Sequence, residues 1–390
     1  MKPVPPLLSA PVRRPEWGRM TWLRDRLARR MAGPVAPSPT VPAFACTIVK
    51  LDRIGDFVLA TGAIRKLVGH FGEARCALVI SVEAEPFARR EFPGVTCCAL
   101  PVAAGRLFRE IAPHRRAWQA ALTGFSCEHL VCLRHQRSFY RDLVLRAIPA
   151  RRRWWLEAAP FGDRALLELE AAAAAYPGPD EADAPRELAA HRLLLGAVLG
   201  RTLAPEEIAP VLRPTRPTPL TRTVVVAPLA NEVIRDLPAT SVWNALAGCD
   251  LPADATVILL GSAAQAARLE AFRSAAPPAW RERCRVVAGE TTEGWIGIIA
   301  GASLVLAAES SSAHIACALD RPLVAVLGGG HPGLFAPWSH SARQRWLTHP
   351  LPCFGCDWQC VHPEPYCLTR IGPAELIAAV HETMARLALE

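Results

Sequence analysis

Five short apolar runs in the second half of the chain, TVVVA (223–227), TVILLG (256–261), RVVAG (285–289), SLVLAA (303–308) and PLVAVLG (322–328), alternate with longer stretches of helical character. Apolar runs of this length with no polar face are those of strands covered on both sides. Strands alternating with helices are joined by crossovers into a parallel sheet. The first half repeats the pattern. FACTIVKL (44–51), CALVISV (76–82), GVTCCALPV (94–102) and HLVCL (129–133) read as strands, and 57–71, 163–176 and 185–200 read as helices. Between the halves, residues 201–223 carry five prolines and no sustained period, which marks a connector.

The expected fold is therefore α/β, with two Rossmann-like, doubly wound domains facing a central cleft. A basic extension spans 1–43, the first domain 44–205, the linker 206–222, the second domain with a Cys-rich tail 223–371, and a last helix 372–390. Ligands of such sheets bind at the C-terminal ends of the strands.

Composition excludes several alternatives. A chain that is 51% hydrophobic is not a disordered one. No run reaches the length of a membrane-spanning helix, and the N-terminus lacks the apolar core and cleavage site of a signal peptide, so a cytoplasmic location is expected. Cys46, Cys76, Cys132, Cys249 and Cys317 fall inside apolar runs and read as buried thiols. Net charge is +8, and seven arginines against one acid, Asp142, lie between Arg134 and Arg153. That density suits anionic partners, or it is a solvated helical face. In the N-terminal extension Trp17, Met20, Leu23 and Leu27 have helical spacing; this stretch lies on a membrane surface or packs on its own domain.

The chemistry-bearing residues sit where apolar runs end. After SLVLAA come Glu309, Ser310, Ser311, Ser312 and His314, with a short helix expected from Ser311 or Ser312 to Leu319. Unpaired N–H groups and hydroxyls at a helix N-terminus form a phosphate seat. A single capping serine would account for one of the three. Glu309 is suited to accept hydrogen bonds from sugar hydroxyls rather than to meet a phosphate. His314 donates to the same ligand or is a core histidine bonded to a backbone carbonyl. Gly329 and Gly330, in GGGHPG (328–333), allow close backbone approach to a ligand. The match to G-x-G-x-x-G is formal only, since no helix opens there, which disfavours a nicotinamide dehydrogenase. Arg235, in a polar loop after TVVVA, has the guanidinium fork that fits a pyrophosphate. In the first domain, KLDRIGDF (50–57) places Asp56 at a strand end. It either caps the helix or accepts a proton from an attacking hydroxyl, kept ionised by the helix N-terminus. Lys50 and Arg53 flank it and suit an anionic acceptor.

Together these segments resemble glycosyltransferase family 9, the bacterial heptosyltransferase-like family. The resemblance rests on IVKLDRIGDFVLATGAIR (48–65), RDLPATSVW (235–243), and ESSSAHIACALDRP followed by GGGHPGLFAPW (309–338), in family order. It implies a GT-B architecture and an inverting, metal-independent transfer of a heptose or hexose from a nucleotide sugar. The implied acceptor is a lipopolysaccharide core or related glycolipid, reached peripherally at the inner membrane. It makes Asp56 the general base, with Arg235 and the Ser310–Ser312 segment holding the leaving phosphates. Departures fall on the donor side. Glu309-Ser310-Ser311 stands where Asp-Thr-Gly is common, Arg235 where Lys is common, and Gly-Ser-Ala-Ala-Gln (261–265) where a Gly-Gly-x-x-Glu segment carries a ribose-binding acid. The resemblance thus implies the reaction type and leaves the donor sugar open.

CFGCDWQCVHPEPYC (353–367) places Cys353, Cys356, Cys360 and Cys367 close in sequence. Two readings fit: a structural zinc on four thiolates, with His362 spare, or reduced thiols packed around Trp358 and Tyr366. No cofactor is expected in catalysis. The rival function is a non-catalytic nucleotide or nucleic-acid binder using the Arg-rich patch, against which stands the lack of any recognisable nucleic-acid module.

Overall fold

The computed structural model describes residues 35–101, 117–134, 139–157, 174–175, 185–220, 222–339 and 341–387. The chain divides into two compact units, with the boundary between Pro210 and Val211. No helix among the described residues is long and apolar enough to cross a membrane. The amphipathic run at 17–27 lies outside the described residues.

The N-terminal unit is built on strands β1 (Phe44–Lys50), β2 (Cys76–Ser81), β3 (Thr96–Leu100), β4 (Cys127–Cys132) and β5 (Ala150–Trp154). They form one sheet in the order β3-β2-β1-β4-β5, with every pairing parallel. Helices α1 (Ile54–Phe71), α2 (Glu85–Glu91), α3 (Phe139–Ala147) and α4 (Arg186–Leu199) accompany it. Six of the seven β1 residues are buried, as a strand covered on both faces requires. Gly72, at φ +91°, stops α1, and Gly200 stops α4 in the left-handed region. A two-residue strand β6 (Leu156–Glu157) pairs parallel with β7 (Ala174–Ala175). Most of the helix expected at 163–176 lies outside the described residues, and the part within them is strand β7. Strand β5 was not anticipated: its sequence, ARRRW, is polar at the sheet edge and hid inside the arginine run.

The C-terminal unit has six parallel strands: β8 (Thr223–Ala227), β9 (Thr256–Gly261), β10 (Cys284–Ala288), β11 (Leu304–Ala308), β12 (Leu323–Leu327) and β13 (Gln344–Thr348). Their order is β10-β9-β8-β11-β12-β13, the doubly wound order with its reversal between β8 and β11. Five were legible as apolar runs. The sixth, QRWLT, is an edge strand with only Gln344 buried. Helices α5 (Ala239–Gly248), α6 (Ala266–Ser274), α7 (Pro278–Glu282), α8 (Thr292–Gly301), α9 (Ser311–Ala318), α10 (Tyr366–Thr369) and α11 (Pro373–Leu387) complete it. Trp243 of α5 fills the core beneath β8 and β9, and its indole donates to Phe272 O at 2.9 Å.

The proline-rich connector is shared between the units. Its first part makes a 3-10 turn, Pro205–Ile208, and crosses α1 at Gly62. A Cβ at Gly62 would sit 2.2 Å from the carbonyl oxygens of Ile208 and Ala209. Gly69, exposed near the end of the same helix, has open space around it. The two sites should respond oppositely to one substitution. Gly62→Ala should lose about 1–3 kcal/mol through overpacking against backbone, whereas Gly69→Ala should gain roughly 0.5–1 kcal/mol of helix propensity. Urea unfolding of both variants checks this, and two shifts of the same sign would refute the crossing at Gly62.

Candidate active site

In each unit the sequence-selected residues gather where the strand order reverses. In the N-terminal unit this is the end of β1 beside the end of β4. Lys50, the last residue of β1, is fully buried. Its Nζ lies 2.9 Å from Asp52 Oδ2, 2.9 Å from Glu187 Oε1 of α4, and 3.2 Å from Leu133 O. Glu187 Oε1 and Leu133 O accept hydrogen bonds from it, and Asp52 adds an ion pair. Burial opposes its charge, but Asp52, Glu187 and Asp56 more than compensate and hold the pKa above the ordinary lysine range. Lys50 is thus not free to bind an acceptor, which corrects the sequence expectation. Arg53 is exposed and precedes the first residue of α1. Arg134, just after β4, is the second cation: its Nη1 lies 3.1 Å from Asp52 Oδ1 and donates to Leu51 O at 2.6 Å.

Asp56 is the third residue of α1, not its cap; Arg53 holds that position and forms no side-chain cap. No hydrogen bond to its carboxylate forms among the described residues. Its pKa is pushed up to about 7, first by burial and then by the charge of Asp52, against the pull of Lys50 and Arg134. Glu187 adds to the rise. The expectation that the helix N-terminus keeps Asp56 fully ionised is corrected: desolvation and two neighbouring carboxylates outweigh it. A carboxylate that titrates near neutrality is a competent general base.

In the C-terminal unit the reversal lies between β8 and β11. Arg235, in the loop after β8, crosses it: its Nη2 donates to Glu309 O, just beyond β11, at 2.8 Å. The loop is tied down by Asp236, which accepts from Ala230 N at 3.0 Å and pairs with Arg268 of α6. Ser310 holds the cap position of α9 but makes no side-chain cap bond. Ser310 Oγ and Arg235 Nε are both buried and, among the described residues, without a hydrogen-bond partner. Two orphaned donors beside a helix N-terminus make an incomplete cradle of the kind an anion completes. Ser311 is the first residue of α9. Ser312 Oγ accepts from Trp295 Nε1 at 3.2 Å. Glu309 is buried at this junction.

His314 is buried in the first turn of α9. Its Nδ1 accepts from Trp338 Nε1 at 3.0 Å, so the neutral ring carries its proton on Nε2. Burial and the Arg235 charge lower its pKa to about 4, which keeps the ring neutral.

The close approach expected at the glycine loop is present, but its partner is the chain itself. A Cβ on Gly329 would meet the Phe354 ring at 2.3 Å, and one on Gly330 the Trp358 ring at 2.3 Å. Cys353, Cys356, Cys360 and Cys367 line one small pocket with His362. Burial raises the Cys356 and Cys367 thiols above their ordinary pKa. Among the described residues no three His, Cys, Asp or Glu are grouped to hold a metal ion, so a zinc would require the sulfurs to draw together. Part of the arginine run is engaged within the fold, while Arg151 and Arg152 are exposed. Arg141 is buried beside Asp142, Arg134 is paired as above, and Arg153 donates to the carbonyls of Leu145, Ala36 and Ile148. Sequence reasoning missed Asp52, Glu187, Arg134 and Trp358. Glu187 stands 137 residues from Lys50, and no local pattern marks such a pair.

The two doubly wound units, with their chemistry at both strand-order reversals, define a GT-B fold. Escherichia coli ADP-heptose lps heptosyltransferase II shares it with a TM-score of 0.62 at 18% identity, over 88% of this chain and 100% of that one. Escherichia coli heptosyltransferase WaaC with ADP-2-deoxy-2-fluoro heptose gives 0.61 at 18%, over 87% and 99%. Residues 216–362 match the model of glycosyltransferase family 9 (heptosyltransferase), the family that the motifs resemble. Over 88 residues the chain is 38% identical to lipopolysaccharide heptosyltransferase 2 of Salmonella typhimurium. That stretch is 22% of this chain and spans only a quarter, 25%, of the relative.

The raised pKa of Asp56 predicts a stability effect that needs no substrate. A carboxyl whose folded pKa is raised stabilises fully only below its unfolded pKa, and the contribution is lost as pH rises through about 7. Asp56→Asn removes that loss. At roughly 1.4 kcal/mol per pKa unit, the variant should match wild type near pH 4 and exceed it by a few kcal/mol at pH 8. Thermal unfolding across that range is the check, and a variant less stable at pH 8 would overturn the desolvated environment assigned to Asp56.

Proposed function

We propose that this chain is an inverting glycosyltransferase that moves a heptose or hexose from a nucleotide sugar to a lipopolysaccharide-core or related glycolipid acceptor. The observation that carries the reading is the incomplete cradle formed by Arg235 Nε, Ser310 Oγ and the N-terminus of α9. Its orphaned donors suit the diphosphate of a donor. Arg235 adds a full positive charge, and the first-turn N–H groups add a partial one. Glu309 is placed beside this cradle, where it would accept from sugar hydroxyls. His314 Nε2–H is a neutral donor for the same ligand.

On the acceptor side, Asp56 takes the proton of the attacking hydroxyl. The oxygen then displaces the nucleoside diphosphate from the opposite face of the anomeric carbon, which inverts it. The negative charge that builds on the leaving phosphate is met by Arg235 and the α9 N-terminus, already oriented before reaction. In this reading those groups do the work a divalent ion would do, so EDTA leaves the rate unchanged. Arg53, the exposed cation beside Asp56, is the residue that meets an anionic acceptor. The acceptor is reached from the cytoplasmic face of the inner membrane. Zinc on the four thiols remains a proposal for the loop alone, with elemental analysis of the purified chain as its check.

Two measurements test the reading. In thermal shift with ADP, UDP, GDP and CMP, a nucleoside diphosphate should raise the unfolding temperature by mass action. Arg235→Ala and Ser310→Ala/Ser311→Ala should lose the response; if no nucleotide stabilises the wild type, the cradle is not a donor seat. In transfer assays, kcat/KM should climb tenfold per pH unit below about 7 and level off above it. Glu187→Gln removes a carboxylate that raises the Asp56 pKa, so it should move that midpoint to lower pH. Asp56→Asn should cost on the order of 10²–10⁴ in rate, and an Asp56→Asn enzyme that turns over normally would sink the base assignment.

A further inference from the structure

The Cys-rich loop has no role in the mechanism above, yet it reaches the donor cradle directly. The Trp358 ring lies under the Arg235 guanidinium, with Cζ 5.1 Å from the ring centroid. An aromatic face at that distance attracts a cation and restricts its swing. Among the described residues the Arg235 side chain is otherwise held by one hydrogen bond, Nη2 to Glu309 O. Trp358 therefore decides where the orphaned Nε is presented.

Trp358 is itself held from several sides. Its ring packs on Gly328 and Gly330, where a Cβ would come within 2.2 and 2.3 Å of it. Its indole Nε1 donates to His331 Nδ1 at 3.3 Å, and His331 Nε2 is 2.7 Å from Asp357 Oδ1. With Nδ1 accepting, the neutral imidazole has its proton on Nε2 and donates it to Asp357. Two backbone bonds lock the loop to the glycines: Gly355 N to Gly329 O at 2.7 Å and Asp357 N to Gly330 O at 3.2 Å. Asp357 and Trp358 both adopt positive φ, +51° and +58°. Side chains other than glycine rarely take this conformation, and it persists only where the surroundings over-determine it. Gly328 and Gly330 thus leave the room that the Trp358 ring fills beneath Arg235.

We propose that Trp358 is a positioning residue for the donor diphosphate, and that the loop 353–367 exists to present it under Arg235. The inference rests on the reading of Arg235 as a diphosphate ligand. A residue with this role sets affinity for the diphosphate and not for the nucleoside portion. Its effect also vanishes when Arg235 is absent.

Isothermal titration of the full chain with the nucleoside diphosphate that stabilises it, and with the matching nucleoside, tests the proposal. Trp358→Leu should weaken diphosphate binding roughly 5–30-fold and leave nucleoside binding within twofold. Trp358→Phe keeps a ring under the guanidinium and should stay within about threefold of wild type. In an Arg235→Ala background Trp358→Leu should add nothing further, the signature of a coupled pair. Circular dichroism confirms folding, and Trp358→Met replaces Trp358→Leu if the latter does not fold. Unchanged diphosphate affinity in Trp358→Leu, or additive losses in the double variant, would overturn the role of Trp358 while leaving the donor seat in place. Absence of diphosphate binding by the wild type would overturn the donor reading itself, and this inference with it.

Discussion

A lysine ammonium cut off from water needs partners for its charge and its protons, and Lys50 draws them from three separate parts of the chain. Asp52 lies beyond β1, Leu133 beyond β4, and Glu187 on α4. One buried charge thereby ties the two strands at the reversal to a helix far along the sequence. Removing one partner of such a group is costly, because the charge left behind is still buried. The same arrangement sets the chemistry. Three carboxylates, Asp52, Asp56 and Glu187, face two cations, Lys50 and Arg134. The imbalance of one negative charge adds to burial, and Asp56 carries the consequence as a pKa near neutrality.

The C-terminal unit uses the same topology with the opposite sign. Its reversal, between β8 and β11, is spanned by a cation, Arg235, bonded to the backbone of Glu309. The N-terminus of α9 adds positive potential there. Parallel sheets of this order leave a crevice wherever adjacent connections leave on opposite faces, and that is all the fold supplies. What each crevice can bind depends on the few residues at the strand ends. A negative cluster with one labile proton suits a hydroxyl that must be deprotonated, and a positive cradle suits phosphates that must be held.

The parts of this arrangement that sequence made legible are those carried by local pattern. Apolar runs marked nine of the eleven strands in the two main sheets. The two that escaped, ARRRW and QRWLT, are edge strands whose polar residues obscure the run. Asp56, Arg235 and the three serines stood out because each follows a buried run at the point where a helix must begin. Their partners did not stand out. Glu187, Asp52 and Arg134 look like ordinary surface charges until the sheet brings them together around Lys50. Lys50 itself was read as an acceptor ligand, because a sequence does not show that a lysine at a strand end will be enclosed. The glycine loop was read for the correct property, close approach, and for the wrong partner. Only the fold shows that Phe354 and Trp358 fill that space.

The departures from the family pattern become intelligible in the same physical terms. Gln265 stands where a ribose-binding acid is expected, and its amide is used at both ends. Its Oε1 accepts from Ser262 N at 2.9 Å, and its Nε2 donates to Ala230 O at 3.0 Å. A carboxylate could make the first bond but not the second, since it has no proton to give at this pH. Ala230 is also where Asp236 fastens the loop, through Ala230 N, and Asp236 in turn pairs with Arg268. Gln265 therefore belongs to the anchoring of the Arg235 loop. Glutamine at this position exchanges a negatively charged contact for a firmer seat under Arg235. The donors left for a ligand at this reversal, Arg235 Nε and Ser310 Oγ, thus belong to a loop held firmly from beneath and to the start of α9.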